Sequence, residues 1–208
     1  MSHALIDLET LEIEGVPGPL PATLRGLTQD SLDDLAWAEG YDAAWAGKGF
    51  WPVVEIRPAL ESWQRHAAEP TLAVDAEGKR VTATCEPEDL PLAEVKAARL
   101  ALLSAYRYGI ETGGITLGGA SIRTDRESQA LVTGAHALVT AAPETVIDWK
   151  GAAGWTQLDA ATMTAIALAV GAHVQACFSA ERAHAEAIEA CETPEDAGSY
   201  DFTGGWPE

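Results

Sequence analysis

"DAATMTAIALAVGAHVQACFSAERAHAEAIEACE", residues 159–192, holds one glycine, no proline and an aspartate ahead of an unbroken run of helix formers. Asp159 is a good N-cap, and the spacing predicts a helix from about Ala160 to Glu192, roughly 50 Å long at 1.5 Å per residue. Along it Met163, Ala167, Val170, Val174, Cys177, Glu181, His184, Ile188 and Cys191 recur at alternating steps of four and three, the pattern of a helix seam packed at a shallow angle. A seam of this length needs a partner along its whole run. A preceding helix, copies of the chain, or both could cover it, and because a rod of this length is not expected to satisfy its edge within one copy, a symmetric homo-oligomer is expected.

The preceding residues supply candidates. "LAEVKAARLALL" opens a helix at 92–103 in which Leu92, Val95, Leu102 and Tyr106, with Leu103 beside them, form an apolar stripe ending near Gly109, and Asp89 is the expected cap. In "GGITLGGASIRTDRESQ", residues 113–129, the glycines suggest a phosphate loop, yet neither the Gly-Lys-Ser/Thr ending nor the Gly-x-Gly-x-x-Gly fingerprint is present. The better reading is a two-residue turn at Gly118-Gly119 that sets Leu117 opposite Ala120 and Ile115 opposite Ile122. Thr124 and Glu127 then read as a capping box for a helix through Ala142. "TVIDWKGAAGWTQLD", 145–159, repeats the device, with a turn at Gly151–Gly154 and Trp149 and Trp155 on its arms as packing residues. The plan is helix, hairpin, helix, hairpin, long helix.

The first ninety residues differ in kind. "ALIDLETLEIE" alternates like a strand or hairpin, "GVPGPLP" breaks regular structure, and Ser31 with Asp34 suggests a capped helix reaching Gly47 or Gly49. "FWPVVEIRP" reads as a strand and "TLAVDAEGKRVTATCEP" as a hairpin with Gly78 at positive φ. The acidic, proline-containing "EPEDLPL" marks the boundary. The expected fold class is α+β: an attachment unit over 1–88, and a helical and hairpin domain over 89–208 with an extended tail.

Composition narrows the functions. Thirteen Lys and Arg against 32 Asp and Glu give a formal charge of −19, which repels a phosphate backbone and excludes direct nucleic-acid binding. Ala165–Val170, the most apolar stretch, is too short to span a bilayer, so no membrane insertion is expected. Cys85, Cys177 and Cys191 make no disulfide framework, and thiols reduced in a cytoplasm are the plain reading. With 39 alanines, large apolar side chains are used sparingly.

Catalytic patterns are missing. His173, Cys177, Glu181 and His184 share a face, but spread along about 16 Å of helix they cannot surround one ion without another chain. No metal and no cofactor is assigned. No Gly-x-Ser-x-Gly elbow exists, and adjacent acids such as Asp33 and Asp34 carry little weight in so acidic a chain. Trp37, Trp45, Trp51 and Trp63 crowd the N-terminal half. The tail "DAGSYDFTGGWPE" places Tyr200, Phe202 and Trp206 among small residues, as in a strap that docks its aromatics on a neighbouring surface.

From Leu92 onward the sequence resembles a family of C-terminal domains in proteins of tailed bacteriophages and prophages. The resemblance lies in "LAEVKAARLALL", "GGITLGGASIRTDRESQALVTGA", "IDWKGAAGWTQLDAATM", "AVGAHVQACFSAERAHAEAI" and the terminal "GGWP", in that order. The stretch before it is similar to what precedes the domain in proteins encoded near tail-fibre genes. The resemblance implies a virion or tail-assembly role, synthesis in the bacterial cytoplasm, and a non-enzymatic homo-oligomer with three-fold symmetry favoured. It implies neighbouring tail or baseplate proteins as partners and supplies no catalytic residue. Assembly chaperone and glycan-acting enzyme are the alternatives. The interface expected on this reading comprises Leu92, Val95, Leu102, Tyr106, Met163, Val170, Val174, Cys177 and Ile188, with the tail docked through Tyr200, Phe202 and Trp206.

Overall fold

The computed structural model of the chain describes residues 1–40, 42–151 and 154–207. It is an α+β protein dividing into two compact units, Met1–Asp89 and Leu90–Glu208.

In the first unit β1 (His3–Asp7) and β2 (Ile13–Gly18) form an antiparallel hairpin, and β3 (Lys48–Ile56) pairs with the other side of β1. β5 (Thr71–Asp75) and β6 (Arg80–Thr84) form a second hairpin, and β6 lies parallel to β3, giving the order β2-β1-β3-β6-β5. β4 (Gln64–His66) and β7 (Pro87–Asp89) make a separate ribbon. Strand alternation sends the consecutive rings of Phe50 and Trp51 to opposite faces. Trp51 packs with Ala4, Ile6 and Val81, while Phe50 packs with Leu24, Leu32, Leu35 and Ala38.

Four local expectations are corrected here. "GVPG" completes β2, an edge strand where a proline costs no ladder bond. The Ser31 helix is instead α1 (Gln29–Asp33), preceded by Thr28 and followed by single 3-10 turns at Ala36–Ala38 and Ala43–Trp45. Lys79, not Gly78, takes the positive φ of 45°. Gly78 is needed for space, because a Cβ there would meet Asp75 Oδ2 at 2.5 Å. Asp89 belongs to β7, where it accepts from Gln64, so it caps nothing.

In the second unit α2 (Leu92–Glu111), α3 (Arg126–Ala141) and α4 (Ala160–Ala190) alternate with the hairpins β8–β9 (Ile115–Leu117, Ala120–Ile122) and β10–β11 (Ile147–Gly151, Gly154–Leu158). The pairing of Leu117 with Ala120 and Ile115 with Ile122 is as the glycine turn requires, and both turn glycines have positive φ. The two central residues of the second expected turn, 152 and 153, lie outside the described residues. A last short helix, α5 (Pro194–Ser199), leads into the tail.

The packing of α4 decides the architecture. Lys96 reaches Glu189, Ser104 reaches Glu181, and His173 reaches Ile110, so α2 runs antiparallel along the C-terminal half of α4. Val132 and Val139 of α3 join Met163, Ile166 and Val170 in one core and cover the N-terminal half. α2 and α3 together therefore form one broken line of helix against about 46 Å of α4. By length and composition α4 is, among the described residues, the one helix long and apolar enough to cross a membrane, which measurement of Ala165–Val170 alone does not show. Much of that apolarity is alanine, and the large side chains of its seam pack on α2 and α3.

Both later helices have aspartate caps. Asp125, not Thr124, accepts from Ser128 N–H at 3.0 Å and Ser128 Oγ–H at 2.8 Å, and Asp159 accepts from Thr162 N–H at 2.8 Å. The bond from the Ser128 backbone N–H holds the Asp125 carboxyl below its usual value, and bonds from Thr162, side chain then backbone, do the same for Asp159. A carboxyl lowered in the folded state contributes stability above its unfolded value, near 4, and loses it as pH falls through the folded value. The thermal midpoint should hold from pH 7 to 5 and drop below about pH 4. Asp125→Asn with Asp159→Asn, which keeps the caps and removes the titration, should lessen that drop when melting is followed by circular dichroism.

Candidate interaction groove

An open groove of about 800 Å³ lies between the two hairpins of the second unit. Its floor is the first turns of α4 at Ala161, Thr162, Ala165 and Ile166. One wall is β8–β9 with Leu117, Ala120, Ser121 and Ile122, and the other is β10–β11 with Trp149, Trp155, Thr156 and Leu158. The geometry follows from the sequence. Gly118-Gly119 folds the first hairpin back at once, and Asp159 starts α4 directly after β11, so both hairpins stand at the N-terminal end of α4.

The tryptophans of the second hairpin divide. Trp149 pairs with Thr156 and packs against the core, while Trp155 pairs with Lys150, one step out of phase, and is 74% exposed. The expectation that both serve packing is therefore corrected: a one-residue phase difference puts them on opposite faces. Lys150 Nζ lies 5.8 Å from the centroid of the Trp155 ring. The groove offers apolar surface with three hydroxyls, those of Ser121, Thr156 and Thr162, and no ionisable side chain, so it is suited to binding apolar groups and not to acid–base chemistry.

The unit's buried ionisable groups lie in a second cluster, where α2, α3 and α4 meet. Glu111, fully buried, takes an ion pair from Arg107 and both nitrogens of Arg126, at 2.8 and 3.2 Å, and accepts from Gln129 at 3.2 Å. Arg107 Nε also faces Glu181 Oε2 at 3.0 Å, off the hydrogen-bond direction. Thr124 is buried here, donating to Glu111 O and accepting from Gly114 N–H, which is why it is unavailable as a cap. His173 Nε2 lies 3.2 Å from Ile110 O and 3.7 Å from Cys177 Sγ. Burial, then the Glu111 charge, pushes the Cys177 thiol up, the opposite of what a nucleophile needs. Among the described residues no three His, Cys, Asp or Glu side chains are grouped to hold a metal ion. The cluster joins helices. Arg107 and Glu111, an opposite-charge pair four apart at the end of α2, are the sequence signal that could have revealed it.

The tail folds onto the unit's own helices. Phe202 packs with Leu103 and Ile188, and Arg99 donates to Tyr200 O while lying 4.6 Å over the Phe202 ring. His184 bonds Tyr200 Oη through Nδ1 and Gly204 O through Nε2, both at 2.9 Å, and stacks on Trp206.

These contacts bear on the expected interface. Val95, Met163, Val170, Cys177 and Ile188 are buried within the chain and leave nothing for a partner to touch. The premise that the α4 seam goes uncovered in one copy is corrected, because α2, α3 and the tail close it. Leu92 and Val174 are half-buried, and Leu102 and Tyr106 are exposed, Tyr106 being packed on Phe202 and Trp206. Apolar groups outside the expected set are exposed too, among them Leu131, Leu138 and Leu168.

Residues 94–204 match a family model described as domain of unknown function (DUF4376), a span running from α2 through the tail. No curated protein and no solved structure matches the chain.

Proposed function

We propose that this chain, which belongs to the DUF4376 domain family, is a non-enzymatic structural component of a bacteriophage tail, at the baseplate or fibre. The resemblance of residues 92–207 to domains of tail-associated proteins supports the phage setting. The observation that carries the non-enzymatic reading is the separation of surface from charge in the second unit. Its open groove is apolar, while Glu111, Arg107 and Arg126 are spent on one another between helices. On this reading the groove receives apolar side chains of a protein partner.

On this reading the second unit assembles with copies of itself, three-fold symmetry favoured, and the first unit attaches to neighbouring tail or baseplate proteins. The chain acts in the virion after synthesis in the bacterial cytoplasm. Mass spectrometry of purified particles should find it at a fixed ratio to the tail proteins. Loss of the chain on purification would instead indicate an assembly chaperone, and release of sugars from host polysaccharide by the purified protein would indicate an enzyme.

A further inference from the structure

The groove does not end at the hairpins. Ala161 and Ala165 on its floor continue along the same face of α4 to Leu168, 66% exposed, and Ala172. A hollow and a large projecting aliphatic side chain thus stand next to each other on one patch, which is what a surface that packs on a copy of itself requires.

Charge selects the same patch. With 32 acidic residues and a formal charge of −19, two copies repel wherever ordinary surface meets ordinary surface. Residues 160–180 hold no Asp, Glu, Lys or Arg, and none of the residues lining the groove is acidic. Here two copies meet the fewest carboxylates along α4.

We infer that the occupant of the groove is a second copy of this chain, with Leu168 of one copy seated between the hairpins of the next. This rests on the assembly reading above and names its surface. The test is the solution mass of the full chain by light scattering over a range of concentrations, for the wild type, Leu168→Asp, and Leu102→Asp as a control on α2. The expected result is an assembly that Leu168→Asp weakens about tenfold or more, with unchanged circular dichroism, and that Leu102→Asp leaves intact. Because apolar contact works against like-charge repulsion, added salt should tighten it. As a readout independent of that charge, Leu168→Ala should weaken the assembly in the same direction. Assembly unaffected by Leu168→Asp and Leu168→Ala, or weakened by salt, would overturn the surface and leave the assembly reading standing. A wild-type chain that stays monomeric at every concentration would overturn both.

Discussion

Replacing Glu111 with alanine is expected to cost the second unit about 3–5 kcal/mol, among the largest effects of any single change in this protein. The carboxylate is fully buried and is the common partner of Arg107 on its own helix and Arg126 on α3. Removing it leaves Arg107, whose side chain is only 12% exposed, with Glu181 as its remaining counterion. A buried ion stripped of its closest counterion costs more than that pair contributed, even with Glu181 still in reach. Arg126 is different. Its side chain is 53% exposed and can turn to water, so Arg126→Ala should cost about 1 kcal/mol. Urea unfolding followed by far-ultraviolet circular dichroism, dominated by the helices, measures both. Equal losses for the two variants would show that the cluster is not organised around Glu111.

Phe202→Ala comes next, with about 3 kcal/mol expected. The ring is 8% exposed, fills the space between Leu103 and Ile188, and carries the Arg99 guanidinium on its face. Its loss opens a cavity and frees the residues that follow, because Trp206 donates to Phe202 O and Tyr106 packs on both rings. Hydrogen exchange should then rise over residues 200–207 and along the facing turns of α2 and α4, with residues 1–89 unchanged. Protection of the tail that survives the substitution would show the strap to be held by the polar bonds of His184 and Arg99 instead.

The fold was legible where local chemistry and long-range packing agree. The glycine pair of the first hairpin, the aspartate before α4 and the three-four seam each have one physical solution, and each appears as read. Local signals failed where a tertiary contact outbid them. Thr124 has the sequence of a cap but is taken by Glu111 and Gly114, so Asp125 caps. Asp89 is taken by Gln64 across the β4–β7 ribbon. Gly78 is small to make room for Asp75, which a turn rule does not weigh.

The groove was the least legible feature. It is built by two hairpins 25 or more residues apart in sequence, and the phase that turns Trp155 outward while Trp149 packs is set by a register no composition shows. The seam itself was read correctly, but its cover was assigned to other copies. The reason is geometric: α2 and α3, interrupted by a hairpin, do not look like one 46 Å partner until they are laid end to end.

That intrachain closure is the claim on which the rest depends, since it moves any contact between copies from the seam to the groove. Isotope-filtered nuclear Overhauser spectroscopy on a refolded mixture of labelled and unlabelled chains tests it directly. Contacts between Leu103 and Ile188, and between Val139 and Met163, should appear only within chains of one label. The same contacts arising between labelled and unlabelled chains would mean that the helices are exchanged between copies, and would contradict the account.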